Sequence, residues 1–253
     1  MIRPALVLLY GFLGFSRYGP IEYFRGVEQA LCQARVAPLI PEVPPGGTVV
    51  ERAEALASQL FCSDAPSFAV VAHSMGGLDA RHLITYLDPD RRVKSLITVA
   101  TPHRGTPVAT WLLESRGLIP ASIRHMGRPG LGELTPEARA ARPIPDRADV
   151  AYSSYAGYRP LNELPFWLRS FGRIVSANSD GLVSVDSAQW GEFRGIMHTD
   201  HFEFVGWSLA LPNSRVKRPF NHLRFWKGAA AEAMAAAENK IAEKREMYGS
   251  ERR

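Results

Sequence analysis

Ser74 lies in a segment suited to nucleophilic attack. The chain reads Val70-Val71-Ala72-His73-Ser74-Met75-Gly76-Gly77, with a β-branched stretch before the serine and a helical pattern after it. This is the layout of a nucleophile elbow, a tight strand-to-helix turn that exposes a serine hydroxyl at the rim of a sheet. Small neighbours are needed because the serine backbone is strained there. The alternative is a serine that only caps a helix, and we expect the His73 side chain to point elsewhere around the turn.

A serine hydroxyl attacks only when a histidine takes its proton, and a carboxylate must hold that histidine in the right tautomer. Chains with such an elbow carry the acid and then the histidine after the serine. Asp180 precedes Gly181 in a turn and is the first candidate for the acid. Asp186 is the second candidate, and a plain surface turn at Asp180 is the alternative. His198 and His201 are the candidate bases, since the other histidines precede the acid or begin the last helix.

Acyl transfer also requires two backbone N–H groups that bind the oxyanion. One should belong to Met75, the residue after the nucleophile. The other should come from the loop after the first strand, where Phe12 follows Gly11. The glycine suits the close approach that this geometry demands.

The elements that must position these groups alternate over the first hundred residues. Apolar patterns predict strands at residues 5–10, 36–43, 68–72 and 93–100, and helices near 20–34, 49–61 and 75–87. This alternation predicts an α/β fold with a mostly parallel, doubly wound sheet. The oxyanion loop, Ser74 and the Thr-Pro-His turn at residues 101–103 would then meet at the carboxyl ends of the strands.

The second half of the chain is less regular. Prolines and glycines recur over about residues 106–148, which favours a lid or cap over an ordinary long connection. Further strands are predicted at 150–155, 174–177, 183–185 and 193–197, followed by a C-terminal helix at about 219–247. The 253 residues, 46% of them hydrophobic, suit one α/β domain over residues 1–253.

The amino-acid composition argues against nucleic acid as a binding partner and against a membrane-spanning segment. A net charge of +5, from 30 basic and 25 acidic residues, is a mild bias without the basic, aromatic-rich helix typical of nucleic-acid binding. No apolar run is long enough to span a membrane. The run at residues 5–10 is too short and too early for a secretory signal, so we expect a cytoplasmic location unless the chain is a processed secreted form. Cys32 and Cys62 are expected to be buried free thiols.

Four ordered motifs resemble the bacterial true lipases (triacylglycerol lipases) and related esterases of the α/β-hydrolase superfamily. They are Ala-His-Ser-Met-Gly-Gly at 72–77, Thr-Pro-His-Arg-Gly-Thr-Pro at 101–107, Asn-Ser-Asp-Gly-Leu-Val-Ser at 178–184 and Asp-His-Phe at 200–202. The resemblance implies an α/β-hydrolase fold, hydrolysis of carboxylic esters and a helical lid. It also favours His201 over His198, because the histidine of that family precedes a short acidic segment.

The chain departs from that family at two points. Tyr10-Gly11 replaces the usual His-Gly of the oxyanion loop, which leaves the backbone donor of Phe12 in place. Many relatives bind a structural calcium ion through carboxylates around the histidine loop. Glu203 falls near one such position, but Trp207 and its neighbours offer no further ligand. We therefore expect no cofactor, with structural calcium as the alternative.

The sequence thus predicts a serine hydrolase, lipase- or carboxylesterase-like, in which Ser74, His201 and Asp180 form a triad. Its substrate would be a small-molecule or lipid ester, with transient contact with a lipid–water interface. An acyltransferase or thioesterase on the same scaffold is the alternative, and a non-catalytic binding protein is a further one. The residues expected to contact the acyl chain, with a plain core role as the alternative, are Leu13, Phe15, Trp111, Leu112 and Leu118.

Overall fold

A five-stranded parallel sheet forms the centre of the computed structural model, which describes residues 3–115, 121–175, 178–207 and 220–250. The described strands, in chain order and including two outside this sheet, are β1 (Ala5–Leu9), β2 (Arg17–Tyr18), β3 (Ile21–Glu22), β4 (Phe68–His73), β5 (Val93–Val99), β6 (Ala151–Tyr158) and β7 (Glu192–His198). The sheet order is β1-β4-β5-β6-β7, and every neighbouring pair is parallel. The short strands β2 and β3 form a separate antiparallel hairpin.

Helices flank this sheet. They are α1 (Val27–Gln33), α2 (Val49–Phe61), α3 (Gly76–His82), α4 (Pro107–Glu114), α5 (Ala121–Glu133), α6 (Pro136–Ala141), α7 (Phe166–Val175), α8 (Val185–Ala188) and α9 (His222–Ser250). Every residue of β4 and β5 is buried, so both faces of the central strands are covered. Helix α9 packs along β4 and β5, and α3 packs on β4 and against α2. Among the helices that the structure describes, none is long and apolar enough to cross a membrane.

The predicted α/β class with a mostly parallel sheet is confirmed. Predicted elements at 49–61, 68–72, 93–100, 150–155 and 193–197 correspond to α2, β4, β5, β6 and β7. Helix α2 begins where its sequence requires, because Thr48 and Glu51 form a capping box. The Glu51 amide donates to the Thr48 hydroxyl at 3.2 Å, and the Thr48 amide donates to the Glu51 carboxylate at 2.8 Å.

Two predictions before residue 45 were wrong. The helix predicted for 20–34 covers only Val27–Gln33, because residues 17–22 form the β2–β3 hairpin and Gly26, with φ of +69°, precedes the helix. The strand predicted for 36–43 is reduced to one bridge, in which Leu39 pairs with Val7 of β1. Phe24, which falls within the helix predicted for 20–34, lies before α1 and packs edge-on against Trp226 of α9 at a centroid distance of 4.8 Å.

Two later strand predictions were also wrong. Residues 174–175 belong to helix α7, and residues 176–177 lie outside the described part of the chain. The segment 183–185 contributes a single bridge between Ser179 and Ser184 before α8 begins at Val185. Both segments are short β-branched runs, which periodicity cannot assign securely to strand or helix. Cys32 and Cys62 are unpaired, as expected, but they are exposed rather than buried.

The stretch expected to be a lid is largely helical where it is described. Helices α4, α5 and α6 lie between residues 107 and 141, and α4 packs against both α5 and α7. Thr106 begins α4 by accepting a hydrogen bond from the Val108 amide at 3.3 Å, and Pro107 occupies the first turn, where no amide is needed. The predicted C-terminal helix corresponds to α9.

Candidate active site

Ser74 lies at the strained turn between β4 and α3. Its backbone has a φ of +53°, a left-handed conformation that is rare for a residue with a side chain. Two hydrogen bonds hold this conformation: the Ser74 amide donates to Val99 O at 2.9 Å, and the Thr101 hydroxyl donates to Ser74 O at 2.7 Å. A Cβ at Gly76 would lie 2.8 Å from Tyr10 O, so only glycine fits there. The turn therefore has the geometry expected of a nucleophile elbow.

His201 and Asp180 are brought to this serine from loops more than a hundred residues away along the chain. His201 Nε2 lies 3.0 Å from Ser74 Oγ, and His201 Nδ1 lies 2.7 Å from Asp180 Oδ2. The other carboxylate oxygen of Asp180 accepts the amides of Leu182 and Val183, at 2.9 and 2.7 Å. Asp180 has no exposed surface, so its orientation is fixed by these bonds.

The competing candidates lie elsewhere. His198 is exposed at the end of β7, and its Nε2 lies 2.9 Å from Glu163. Asp186 is an exposed residue of α8. The structure therefore brings together Ser74, His201 and Asp180, and it leaves both second candidates outside this arrangement.

The two predicted oxyanion donors belong to the loop after β1 and to the residue that follows Ser74. Neither the Phe12 amide nor the Met75 amide donates a hydrogen bond to any residue within the described ranges. Gly11 lies so close to the nucleophile that a Cβ on it would be 2.7 Å from Ser74 Cβ and 3.1 Å from Ser74 Oγ. The oxyanion loop thus lies close to the serine, and the Phe12 amide is available to an oxygen bound there.

A buried ion pair supports this loop, and sequence reasoning missed it. Arg52 Nε donates to Asp79 Oδ2 at 2.8 Å, and its Nη2 donates to Tyr10 O at 2.9 Å and to Gly11 O at 3.3 Å. Burial raises the pKa of Asp79 to about 6, although Arg52 acts to lower it. A signal existed in the sequence, because Arg52 lies on the apolar face of α2, three residues after Val49.

Two further polar groups at the site were also missed. The Tyr23 hydroxyl accepts the Gly11 amide at 3.0 Å and lies 2.8 Å from His73 Nδ1. The His73 ring lies beside that of His201, with a centroid distance of 4.6 Å, so the expectation that it points elsewhere was wrong. Burial, and then the proximity of His201, hold the pKa of His73 well below its usual value.

A cavity of about 600 Å³ opens onto Ser74 and His201. None of its described lining residues is aspartate, glutamate, lysine or arginine. Of the side chains predicted to contact an acyl chain, Leu13, Phe15 and Leu112 line this cavity. Trp111 is not among the lining residues and packs edge-on against Phe171, which does line it, while Leu118 lies outside the described residues.

The residues around the His201 loop do not suit a calcium ion. Glu203 is committed to Arg159, whose Nε donates to Glu203 Oε2 at 2.9 Å and whose Nη2 contacts the same oxygen. Asp200 Oδ1 accepts the Phe202 and Glu203 amides, both at 2.9 Å, and burial raises the pKa of Asp200 to about 6. No cluster of three or more metal-ligating side chains occurs in the described part of the chain. Glu203 is therefore already paired with the Arg159 guanidinium.

The parallel sheet and the positive-φ serine between β4 and α3 give the chain the fold of an α/β-hydrolase. Residues 57–113 match the family described as PGAP1-like alpha/beta domain. This segment runs from the end of α2, through the elbow, into α4.

Proteins named as lipases and esterases are similar to the chain. Triacylglycerol lipase 2 of Saccharomyces cerevisiae is 29% identical over 219 residues, which cover 76% of this chain and 64% of the yeast protein. The chain therefore spans less than two thirds of that relative. A metagenomic carboxyl esterase superposes with a TM-score of 0.70 at 21% identity, covering 94% of this chain and 76% of the esterase. The lipase of Staphylococcus hyicus superposes with a TM-score of 0.67 at 16% identity, covering 93% and 96%.

Proposed function

We propose that the protein hydrolyses carboxylic esters through an acyl-enzyme formed on Ser74. The single observation that carries this proposal is the continuous hydrogen-bonded line from Ser74 Oγ through His201 to Asp180, at 3.0 and 2.7 Å. Nucleophile, base and orienting carboxylate in such a line are the parts that acyl transfer requires. The names of the relatives support the same reaction class.

In the proposed reaction His201 takes the proton of Ser74 as the hydroxyl oxygen attacks the ester carbonyl. Asp180 holds the proton of Nδ1 and so leaves Nε2 free to act as the base. The amides of Phe12 and Met75 stabilise the negative charge on the former carbonyl oxygen. His201 then gives its proton to the leaving alcohol, and a water molecule repeats the sequence to release the acid and restore Ser74.

The proposed substrate is an ester whose acyl chain is uncharged. The cavity walls carry no charged side chain among the described residues, and a buried charge without a partner would be costly. Leu13, Phe15 and Leu112 are proposed to contact the acyl chain. Helices α4 to α6 are proposed to act as the lid, because Leu112 of α4 and Leu131 of α5 both face the same cavity.

The test is Ser74→Ala, assayed on p-nitrophenyl esters with acyl chains of two to sixteen carbons. We expect kcat to fall by about 10⁶-fold, with an unchanged melting temperature. Labelling of the wild-type protein by a fluorophosphonate should be lost in the same variant. Retained turnover by the folded variant would overturn the mechanism. Product analysis with a competing alcohol separates transfer to water from transfer to another acceptor.

A further inference from the structure

Tyr23 holds a position that no step of the proposed reaction uses. Its hydroxyl lies between the Gly11 amide, at 3.0 Å, and His73 Nδ1, at 2.8 Å. Burial raises the pKa of this phenol and lowers that of His73, so the tyrosine keeps its proton and the ring is neutral. The phenol oxygen therefore accepts from Gly11 and donates its single proton to His73.

The hydrogen bond from the Gly11 amide to Tyr23 fixes the N–H end of the Tyr10–Gly11 peptide, and the carbonyl end is fixed as well. The Gly11 amide belongs to the Tyr10–Gly11 peptide, and the carbonyl of that peptide accepts from Arg52 at 2.9 Å. Because a trans peptide is planar, holding its N–H and its C=O from opposite sides fixes the orientation of the whole plane. The next peptide carries the Phe12 amide, which is one of the two proposed oxyanion donors. Its direction therefore depends on the plane that Tyr23 and Arg52 hold.

The Tyr23 hydroxyl also links the oxyanion loop to His73, which lies next to both Ser74 and His201. His73 is the residue before Ser74, and its ring lies 4.6 Å from that of His201, measured between centroids. Tyr23 comes from the segment after the β2–β3 hairpin, so a separate part of the chain links the oxyanion loop to His73. A phenylalanine would keep the ring contacts, including the one with Phe24 at 5.1 Å, and would remove only this link.

We propose that Tyr23 is a positioning residue that aims the Phe12 amide at the developing oxyanion, an inference that rests on the proposed ester hydrolysis. Tyr23 acts through Gly11 and does not exchange a proton with the substrate. Deleting an oxyanion donor outright typically costs about 10²–10³ in kcat. Tyr23→Phe leaves the donor present but less well aimed, so we expect kcat to fall by about 10- to 100-fold.

The matched control is Tyr152→Phe. The Tyr152 hydroxyl also accepts a backbone amide, that of Arg147 at 3.1 Å, and its pKa is likewise raised by burial, to about 12. Tyr152 lies near the start of β6, away from the cavity that Tyr23 lines. The two variants therefore lose the same kind of hydrogen bond at two different places.

The experiment measures kcat and KM on a p-nitrophenyl ester, normalised to the active sites titrated by a fluorophosphonate, and the affinity for an alkyl trifluoromethyl ketone. Tyr23→Phe should lower kcat and weaken binding of this transition-state analogue by the same factor, with KM nearly unchanged. Tyr152→Phe should leave all three values at the wild-type level. Wild-type kcat and analogue affinity in Tyr23→Phe, or equal losses in both variants, would overturn the proposal.

Ser74→Ala, measured in parallel, separates this inference from the proposed function. If Ser74→Ala is inactive while Tyr23→Phe is unaffected, ester hydrolysis stands and only the role of Tyr23 is overturned. If Ser74→Ala keeps its turnover, the reaction does not pass through this oxyanion loop and both proposals fail.

Discussion

Asp180→Asn is the substitution whose outcome the geometry of the site determines most closely. Asparagine has the shape of aspartate but replaces one acceptor oxygen with an NH₂ donor. In the protein one carboxylate oxygen accepts two amides, from Leu182 and Val183, and the other faces His201 Nδ1 at 2.7 Å. The question is which of these positions the NH₂ group takes.

The two amides decide that orientation. Turning the NH₂ group toward Leu182 and Val183 would leave two buried N–H donors without an acceptor, at about 1–3 kcal/mol each. The NH₂ group must therefore face His201 and donate to Nδ1. The imidazole then carries its proton on Nε2, where it faces Ser74 Oγ and cannot accept the serine proton. Loss of the working tautomer costs about 10⁴ in kcat, or about 5 kcal/mol of transition-state stabilisation.

The assay is p-nitrophenyl ester hydrolysis by Asp180→Asn, with Asp186→Asn as the control. Asp186 is an exposed aspartate of α8 six residues further on, so its substitution should leave kcat unchanged. Thermal melts of both variants establish that each is folded. The reasoning about the tautomer is refuted if folded Asp180→Asn keeps more than about a tenth of the wild-type kcat.

Two further predictions concern the buried cations. Arg52→Met leaves the Asp79 carboxylate without its cation, so urea unfolding at pH 8 should show a loss of about 3–5 kcal/mol. That loss should shrink toward pH 5. The pKa of Asp79 is about 6 with Arg52 present and rises further without it, so in the variant the buried carboxylate gains a proton in the folded state as the pH falls. In the unfolded state it stays ionised at pH 5. A pH-independent loss would contradict this account. Arg159→Met should likewise destabilise the protein by about 3–5 kcal/mol, because it leaves the Glu203 carboxylate, which is only 5% exposed, without its cation. The wild-type melting temperature should be the same in excess chelator and in millimolar calcium, and a rise with calcium would show that an ion binds after all.

The central strands of the sheet were predictable because they are buried on both faces and have continuous apolar sequences. Residues 68–72 and 93–100 are of this kind, and β4 and β5 lie there. Short apolar segments have too few residues to show whether their periodicity is that of a strand or a helix. Residues 174–177 resemble a strand in isolation, yet Ile174 and Val175 complete the amphipathic helix α7. Only packing against the rest of the molecule distinguishes the two states.

The site was predictable to the extent that its chemistry needs rare residue types in a fixed order. A serine in an elbow, an aspartate in a Gly-containing turn and a later histidine satisfy that order at Ser74, Asp180 and His201. The supporting groups obey no such order. Tyr23 and Arg52 reach the oxyanion loop from other segments of the chain, and nothing local to either residue indicates that its partner is a backbone group of residues 10–11.

The order of the strands has a consequence for how the molecule is made. Strands β1, β4, β5, β6 and β7 lie side by side in the order in which they are synthesised. The segments that follow β1, β4 and β7 contain Phe12, Ser74 and His201, so His201 is the last of these three residues to be synthesised. A nascent chain that has folded only its first four strands of this sheet would hold a strained serine with no group to activate it. Hydrolysis by the proposed triad would therefore require a chain that extends at least to His201, and its appearance during synthesis would time the docking of β7.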